Sequence, residues 1–234
     1  MRDADGTLPV RVPNRQVRET YDRIARLYAC TVARLEAPSQ RRALAGLALS
    51  PGDTVVDVGC GPGRLLPELA DRVAPTGTVL GVDAAPSMLA QARARARTAG
   101  VSDRVALALG DARRLPVPTG TADAASLLDV LDLFDREDLR AVLAECRRIL
   151  APDGQLCVVT MDRARVPESR FLRLYEWLYQ HVPGFAAVGC RPIPATEALQ
   201  AAGFSVRSAE SFRRGGVWPV ACFRCTPAAD AEPV

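Results

Sequence analysis

The chain has 234 residues and a formal net charge of +3, so it is long enough for one domain with a sizeable core and has no basic field for nucleic acid or an anionic membrane. All 30 basic side chains are arginine, which excludes a Schiff-base lysine, a lysine general base and a G-K-[ST] phosphate loop. His181 is the only histidine and the seven cysteines are scattered, which argues against a zinc site and for a reducing, cytoplasmic setting; no signal-peptide core or transmembrane-length apolar run is present.

In residues 1–13, Gly6, Pro9 and Pro13 interrupt any periodicity, and the segment reads as a loose arm. Val17, Tyr21, Ile24, Ala25 and Tyr28 fall at helical spacing and predict a helix over 14–30. A second helix is expected after Pro38, over 39–49, so residues 1–50 precede a main domain at 51–226. An alternating series then starts, with strands at 54–58, 78–83, 105–110, 122–128 and 155–160 and helices at 64–72, 86–99 and 136–150. Asp135 is placed to cap the last of these helices. Nearly continuous apolar strands separated by helices indicate a parallel sheet covered on both faces.

The rhythm breaks over 161–194, where Phe171 to Phe185 holds five of the twelve aromatics. Phe171, Leu174, Tyr175 and Leu178 form one helical stripe expected to pack on the core; Leu172, Trp177 and Tyr179 fall outside it and call for a partner, an apolar or aromatic acceptor first, then a second copy of the chain or a bilayer surface. A helix at 195–202 leads to two strands, 205–212 and 217–226, joined by a link short enough to force a hairpin. The fold class is therefore α/β, a doubly wound seven-stranded sheet, mostly parallel with an antiparallel last strand, and 227–234 reads as a tail. Cys222 and Cys225 should point to opposite faces of their strand, which separates them as metal or redox partners.

The chemistry concentrates at the strand ends. Thr54-Val55-Val56-Asp57-Val58 runs into Gly59-Cys60-Gly61-Pro62-Gly63, a turn whose glycines let backbone approach a nucleoside-type ligand. The spacing is G-x-G-x-G, with Arg64 where a dinucleotide fingerprint has its third glycine, which argues against a nicotinamide oxidoreductase. Asp57, Asp83 and Asp111 crowd the same crevice and repel phosphate. Asp83 can accept both ribose hydroxyls, Asp111 an adenine amine, and Asp57 can support the turn or a ligand ammonium. A cationic nucleoside without pyrophosphate fits these groups, and S-adenosylmethionine fits each of them.

These motifs, together with Gly81-Val82-Asp83, Gly110-Asp111-Ala112 and Arg147-Arg148-Ile149-Leu150-Ala151-Pro152-Asp153-Gly154, resemble those of class I S-adenosylmethionine-dependent methyltransferases. The resemblance covers about residues 16–226. It implies that Gly59, Gly61 and Gly63 approach the methionine part, Asp83 the ribose, Met88 the adenine, and Asp111 with Ala112 the adenine edge. Leu128 and Asp129 would floor the sulfonium. Tyr21-Asp22-Arg23-Ile24-Ala25-Arg26-Leu27-Tyr28 is similar to the N-terminal helix of the quinone-biosynthesis C-methyltransferases, which implies that Tyr21 faces the cofactor. Leu128-Asp129-Val130-Leu131-Asp132-Leu133-Phe134 departs from that group's segment.

The expected reaction is methyl transfer to oxygen or carbon of a small apolar or aromatic acceptor, with His181, Tyr21 and Asp129 as candidate bases and no metal. A phospholipid or small-amine N-methyltransferase is the alternative within the family. A cofactor-binding protein that does not methylate is the alternative outside it.

Overall fold

In a computed structural model, residues 7–165, 170–182, 184–187, 190–216 and 218–228 are described. The arm at 1–6 and the tail at 229–234 lie outside them, as do parts of the 161–194 insertion. Helices α1 (Asn14–Cys30) and α2 (Val32–Leu44) precede β1 (Thr54–Val58), α3 (Leu66–Arg72), β2 (Thr78–Asp83), α4 (Pro86–Thr98), β3 (Val105–Leu109) and β4 (Ala122–Leu128). A 3-10 turn (Leu131–Leu133), α5 (Arg136–Ile149), β5 (Leu150–Thr160), α6 (Arg170–His181), α7 (Ala195–Ala201), β6 (Phe204–Arg214) and β7 (Trp218–Pro227) complete the order.

The seven strands form one sheet in the order β3-β2-β1-β4-β5-β7-β6. β1 to β5 are parallel, and β7 runs antiparallel to both β5 and β6. Side chains alternate across the pleat, so each strand feeds two cores. Val55, Val79, Val159 and Cys222 join one with α3 and α4; Val56, Val82, Val158, Phe223 and Cys225 join the other with α5 and α7. Cys222 and Cys225 thus face opposite layers. Asp135 caps α5, accepting the Asp138 N–H at 2.9 Å.

Three local expectations are corrected. Pro38 does not precede a helix but sits within α2. Its ring removes one N–H from the ladder, and burial of Ala33, Ala37, Ala43 and Leu44 on the same element holds the turn helical. On α6 the buried face is Leu172, Tyr175, Glu176 and Tyr179, while Leu174 and Trp177 are exposed. Leu172, Tyr175 and Tyr179 fall at helical spacing and form that face, and Glu176 beside them is carried inward with half-buried Arg163 as its partner at 2.8 Å. β5 starts at Leu150, so Pro152-Asp153-Gly154 lies within the strand rather than ahead of it. Among the described residues no helix is long and apolar enough to cross a membrane.

The turn after β1 is packed tightly on α4. A Cβ on Gly63 (φ +66°) would lie 2.6 Å from Ala92 Cβ and 2.8 Å from its Cα, whereas one on Gly61 (φ +53°) meets nothing within 4 Å. Gly61→Ala should cost about 1 kcal/mol, from the left-handed backbone alone. Gly63→Ala adds overpacking and should cost about 2–4 kcal/mol. Urea denaturation of the two variants checks the ranking; equal losses would refute the packing argument.

Candidate functional site

At the sheet's carboxyl edge the glycine turn folds over the end of β2. The Gly59 and Cys60 N–H groups donate to Val82 O at 2.7 and 3.0 Å. The Asp83 carboxylate accepts the Gly61 N–H and the Ala85 N–H, each at 2.8 Å, so one side chain fixes both strand-end loops. Burial raises its pKa and these N–H donors counter the shift. Asp57 lies deeper, accepts the Ser126 hydroxyl at 2.6 Å, and is pushed up to about 6 by burial.

α1 covers this edge. Its Asp22 carboxylate accepts the Ser87 N–H at the start of α4, and the Ser87 hydroxyl donates to Asp22 O. A carboxylate there suits the positive end of the helix. Tyr21 and Tyr28 meet edge to face at 5.3 Å and pack over Ala25, Ala85 and Met88.

Beneath them is a cavity of about 290 Å³. Tyr21, Gly59, Gly61, Asp83, Met88, Asp111, Ala112, Leu128 and Asp129 all line it, so the structure brings together most of the residues singled out in the sequence. A smaller recess of about 40 Å³ opens round the same turn, between Tyr28, Glu36, Gln40, Asp57 and Arg64. The Arg64 guanidinium donates to Ala29 O at 2.7 Å, while its buried Nε has no hydrogen-bond partner. A carboxylate and a guanidinium in one polar recess match the amino and carboxylate groups of an amino acid. The larger cavity, apolar beside Met88 and Ala112 and ending on Asp83, matches a nucleoside. The two together fit S-adenosylmethionine.

Behind the site stand three buried carboxylates and one buried cation. Arg214 contacts Asp129 at 2.6 Å, lies 4.0 Å from Glu36, and donates to the Ser39 hydroxyl. Gln40 also donates to Asp129, at 2.8 Å, and Tyr28 donates to Glu36 at 2.6 Å. Burial, then the Asp129 charge, pushes Glu36 up to about 8 and Asp132 up to about 7. Asp129 adopts φ 61°, a left-handed conformation unusual for a residue with a Cβ.

Several assignments change with this geometry. His181 does not reach the cavity: it is exposed on α6, stacked on Trp177, with Nδ1 2.8 Å from Trp177 O, because its helical position turns it outward. Gly63 does not line either space and serves the contact with α4. Tyr21 is in place, yet burial holds its phenol above the usual range, which makes it a hydrogen-bond donor rather than a base at neutral pH. Asp111 lines the cavity with both oxygens engaged by Arg113, at 2.6 and 3.0 Å. Glu36, Gln40, Arg64 and Arg214 were not anticipated. Glu36 and Gln40 carried a signal, being polar residues one turn apart on a helix face that otherwise holds Ala33, Ala37, Ser39, Ala43 and Leu44. Arg214, near the end of a hairpin strand, carried none.

A methyltransferase-domain family model matches residues 55–154. The chain is 36% identical over 186 residues to the demethylmenaquinone methyltransferase of Thermus thermophilus, covering 71% of this chain and 81% of that protein. It is 38% identical over 136 residues to the nocamycin O-methyltransferase of Saccharothrix syringae, covering 58% and 48% respectively. The chain thus spans about half the length of the latter. In fold it is similar to a putative methyltransferase solved with the Haloferax volcanii Trm112 activator, at a TM-score of 0.73 and 21% identity over 92% of this chain and 99% of that one. With the strand order, the glycine turn and the carboxylate at the end of β2, these matches identify the chain as a member of the class I S-adenosylmethionine-dependent methyltransferases.

Proposed function

We propose that the chain transfers the methyl group of S-adenosylmethionine to oxygen or carbon of a small apolar or aromatic acceptor in the cytoplasm. The observation that carries this reading is the pairing of an apolar cavity ending on Asp83 with a recess that holds Glu36 and Arg64, both reached from the same glycine turn. Asp83 would accept the ribose hydroxyls, Met88 and Ala112 would flank the base, and Glu36 with Arg64 would hold the amino acid end. When bound, the sulfonium supplies a methyl group already activated for transfer.

The protein's remaining tasks are to position the acceptor and to exclude water. α1 supports the second task, since its two tyrosines roof the cavity and Asp22 pins the roof to α4. Asp129, with Glu36 and Asp132 beside it able to ionise in response to a cation, suits a sulfonium. The names of the two curated relatives support a small-molecule acceptor. Seven unpaired cysteines fit a reducing compartment.

Two measurements test the cofactor side. Asp83→Ala should weaken S-adenosylhomocysteine binding about 100-fold, the scale of hydrogen bonds to a charged group. Calorimetry that returns the wild-type affinity would overturn the assignment. Glu36 sits near 8 beside Tyr28, Asp129, Asp132 and Arg214, and so is mostly protonated at pH 7. A ligand ammonium favours its ionised form, so binding at pH 7 should release a proton and affinity should rise with pH up to about 8. Calorimetry in phosphate and in Tris reads that proton, and Glu36→Gln should abolish the difference between the buffers. A difference that persists in the variant would assign the proton elsewhere.

A further inference from the structure

The chain turns a corner at Thr31, where α1 meets α2, and the outer side of that corner is apolar. Leu27 is 64% exposed there, Leu35 50% and Val32 39%. The four-residue hydrogen-bond step runs through the corner, since the Thr31 N–H donates to Leu27 O at 3.0 Å and the Leu35 N–H to Thr31 O at 3.2 Å. Leu27, Thr31 and Leu35 are thereby kept in register on the outer side. The last carbonyls of a helix lack partners within it and usually turn to water. Here the Thr31 N–H also donates to Tyr28 O at 3.2 Å, the Thr31 hydroxyl to Leu27 O at 2.6 Å, and Arg64 to Ala29 O at 2.7 Å. The corner thus offers apolar side chains to its surroundings with the carbonyls of Leu27, Tyr28 and Ala29 already satisfied.

Its flanks are cationic. Arg23, Arg26 and Arg34 are exposed, and none forms an ion pair among the described residues. Residues 23–35 contain no carboxylate. Asp22, just before them, is tied to Ser87, and Glu36, just after, is buried against Tyr28. Arg34 also bears on Arg95, whose pKa is lowered by burial first and then by Arg64 and Arg34. Cations therefore gather on this side of the molecule without a carboxylate between them. The formal net charge of +3 conceals this local excess.

We propose that the α1–α2 corner docks on an anionic lipid bilayer, with Leu27, Val32 and Leu35 at the acyl boundary and Arg23, Arg26 and Arg34 among the headgroups. An apolar centre rimmed by guanidinium groups is the pattern of an element that lies in the plane of a membrane interface. Carbonyls that are already satisfied lower the cost of leaving water. A second copy of the chain fits this surface less well. A two-fold contact would set each cationic rim against its own copy, with no carboxylate to separate them. The inner side of α1 carries Tyr21 and Tyr28 over Met88, so a bilayer seated on the corner stands against the roof of the cavity. Docking goes beyond the methyl-transfer reading and does not depend on it.

The test is sedimentation of the full chain with unilamellar vesicles, either equimolar phosphatidylglycerol and phosphatidylcholine or phosphatidylcholine alone. The chain should partition onto the anionic vesicles, stay in solution with the neutral ones, and be released by added salt. Arg26→Gln and Arg34→Gln should each lower the partition coefficient about fivefold. Leu27→Ser combined with Leu35→Ser should lower it about tenfold or more. These side chains are exposed, so melting temperature and S-adenosylhomocysteine affinity should match wild type, which separates lost docking from lost folding. Arg140→Gln, exposed on α5, should bind vesicles like wild type. No partition onto anionic vesicles, or an equal loss in Arg140→Gln and Arg26→Gln, overturns the proposal. Corner variants that bind like wild type while Trp177→Ser does not would move the docking surface to α6. A dimer in analytical ultracentrifugation that Leu35→Ser dissociates would give the corner to a second copy instead.

Discussion

The Asp83 carboxylate is the constraint on which the site depends. One oxygen accepts the Gly61 N–H and the other the Ala85 N–H, so the loops leaving β1 and β2 cannot move independently. Each oxygen retains a lone pair for a ligand hydroxyl. The same bonds that shape the turn therefore orient the group that would read the ribose, and a buried carboxylate tolerates this position because two main-chain dipoles offset its desolvation. The roof follows from that anchor, since α1 docks on Ala85, Ser87 and Met88, which stand immediately beyond it.

Charge balance is the second organising feature. Three carboxylates and one guanidinium share the interior behind the cavity, and Arg214 is committed to Asp129 at 2.6 Å while standing 4.0 Å from Glu36. Glu36 and Asp132 are thus left with raised affinity for protons, and their charge can respond to what binds. A guanidinium suits this place better than an ammonium would. It keeps its charge when buried and its planar fork reaches Ser39 and Asp129 together.

Local chemistry made the sheet legible. Apolar runs bounded by glycine, proline and aspartate located all seven strands, and a four-residue link containing Gly215 and Gly216 identified the hairpin. The strand-end residues Gly59, Asp83 and Asp111 were legible for the same reason, because a strand's end fixes where its next residue stands, whereas Met88 and Leu128 followed from the family resemblance. Features that depend on distant parts of the chain were not. Glu176 is carried onto the buried face of α6 with Arg163 as its partner, and Pro38 is carried inside α2 by tertiary packing. Arg214 reaches Ser39 across 175 positions, and no periodicity in either segment encodes that meeting. His181 was attractive as the only imidazole, but rarity in a sequence says nothing about where a helix points it.

The contact between Arg214 and Ser39 also sets an order of events during synthesis. At about 5–20 residues per second, roughly 10–35 s pass between the appearance of one partner and that of the other. Through that interval the growing chain can already pair β1 to β4 and form its glycine turn, yet Glu36 and Asp129 lie together without the cation that compensates them. Asp129 gains its cation only when the last hairpin emerges, so the reading edge is assembled before the chamber behind it is complete.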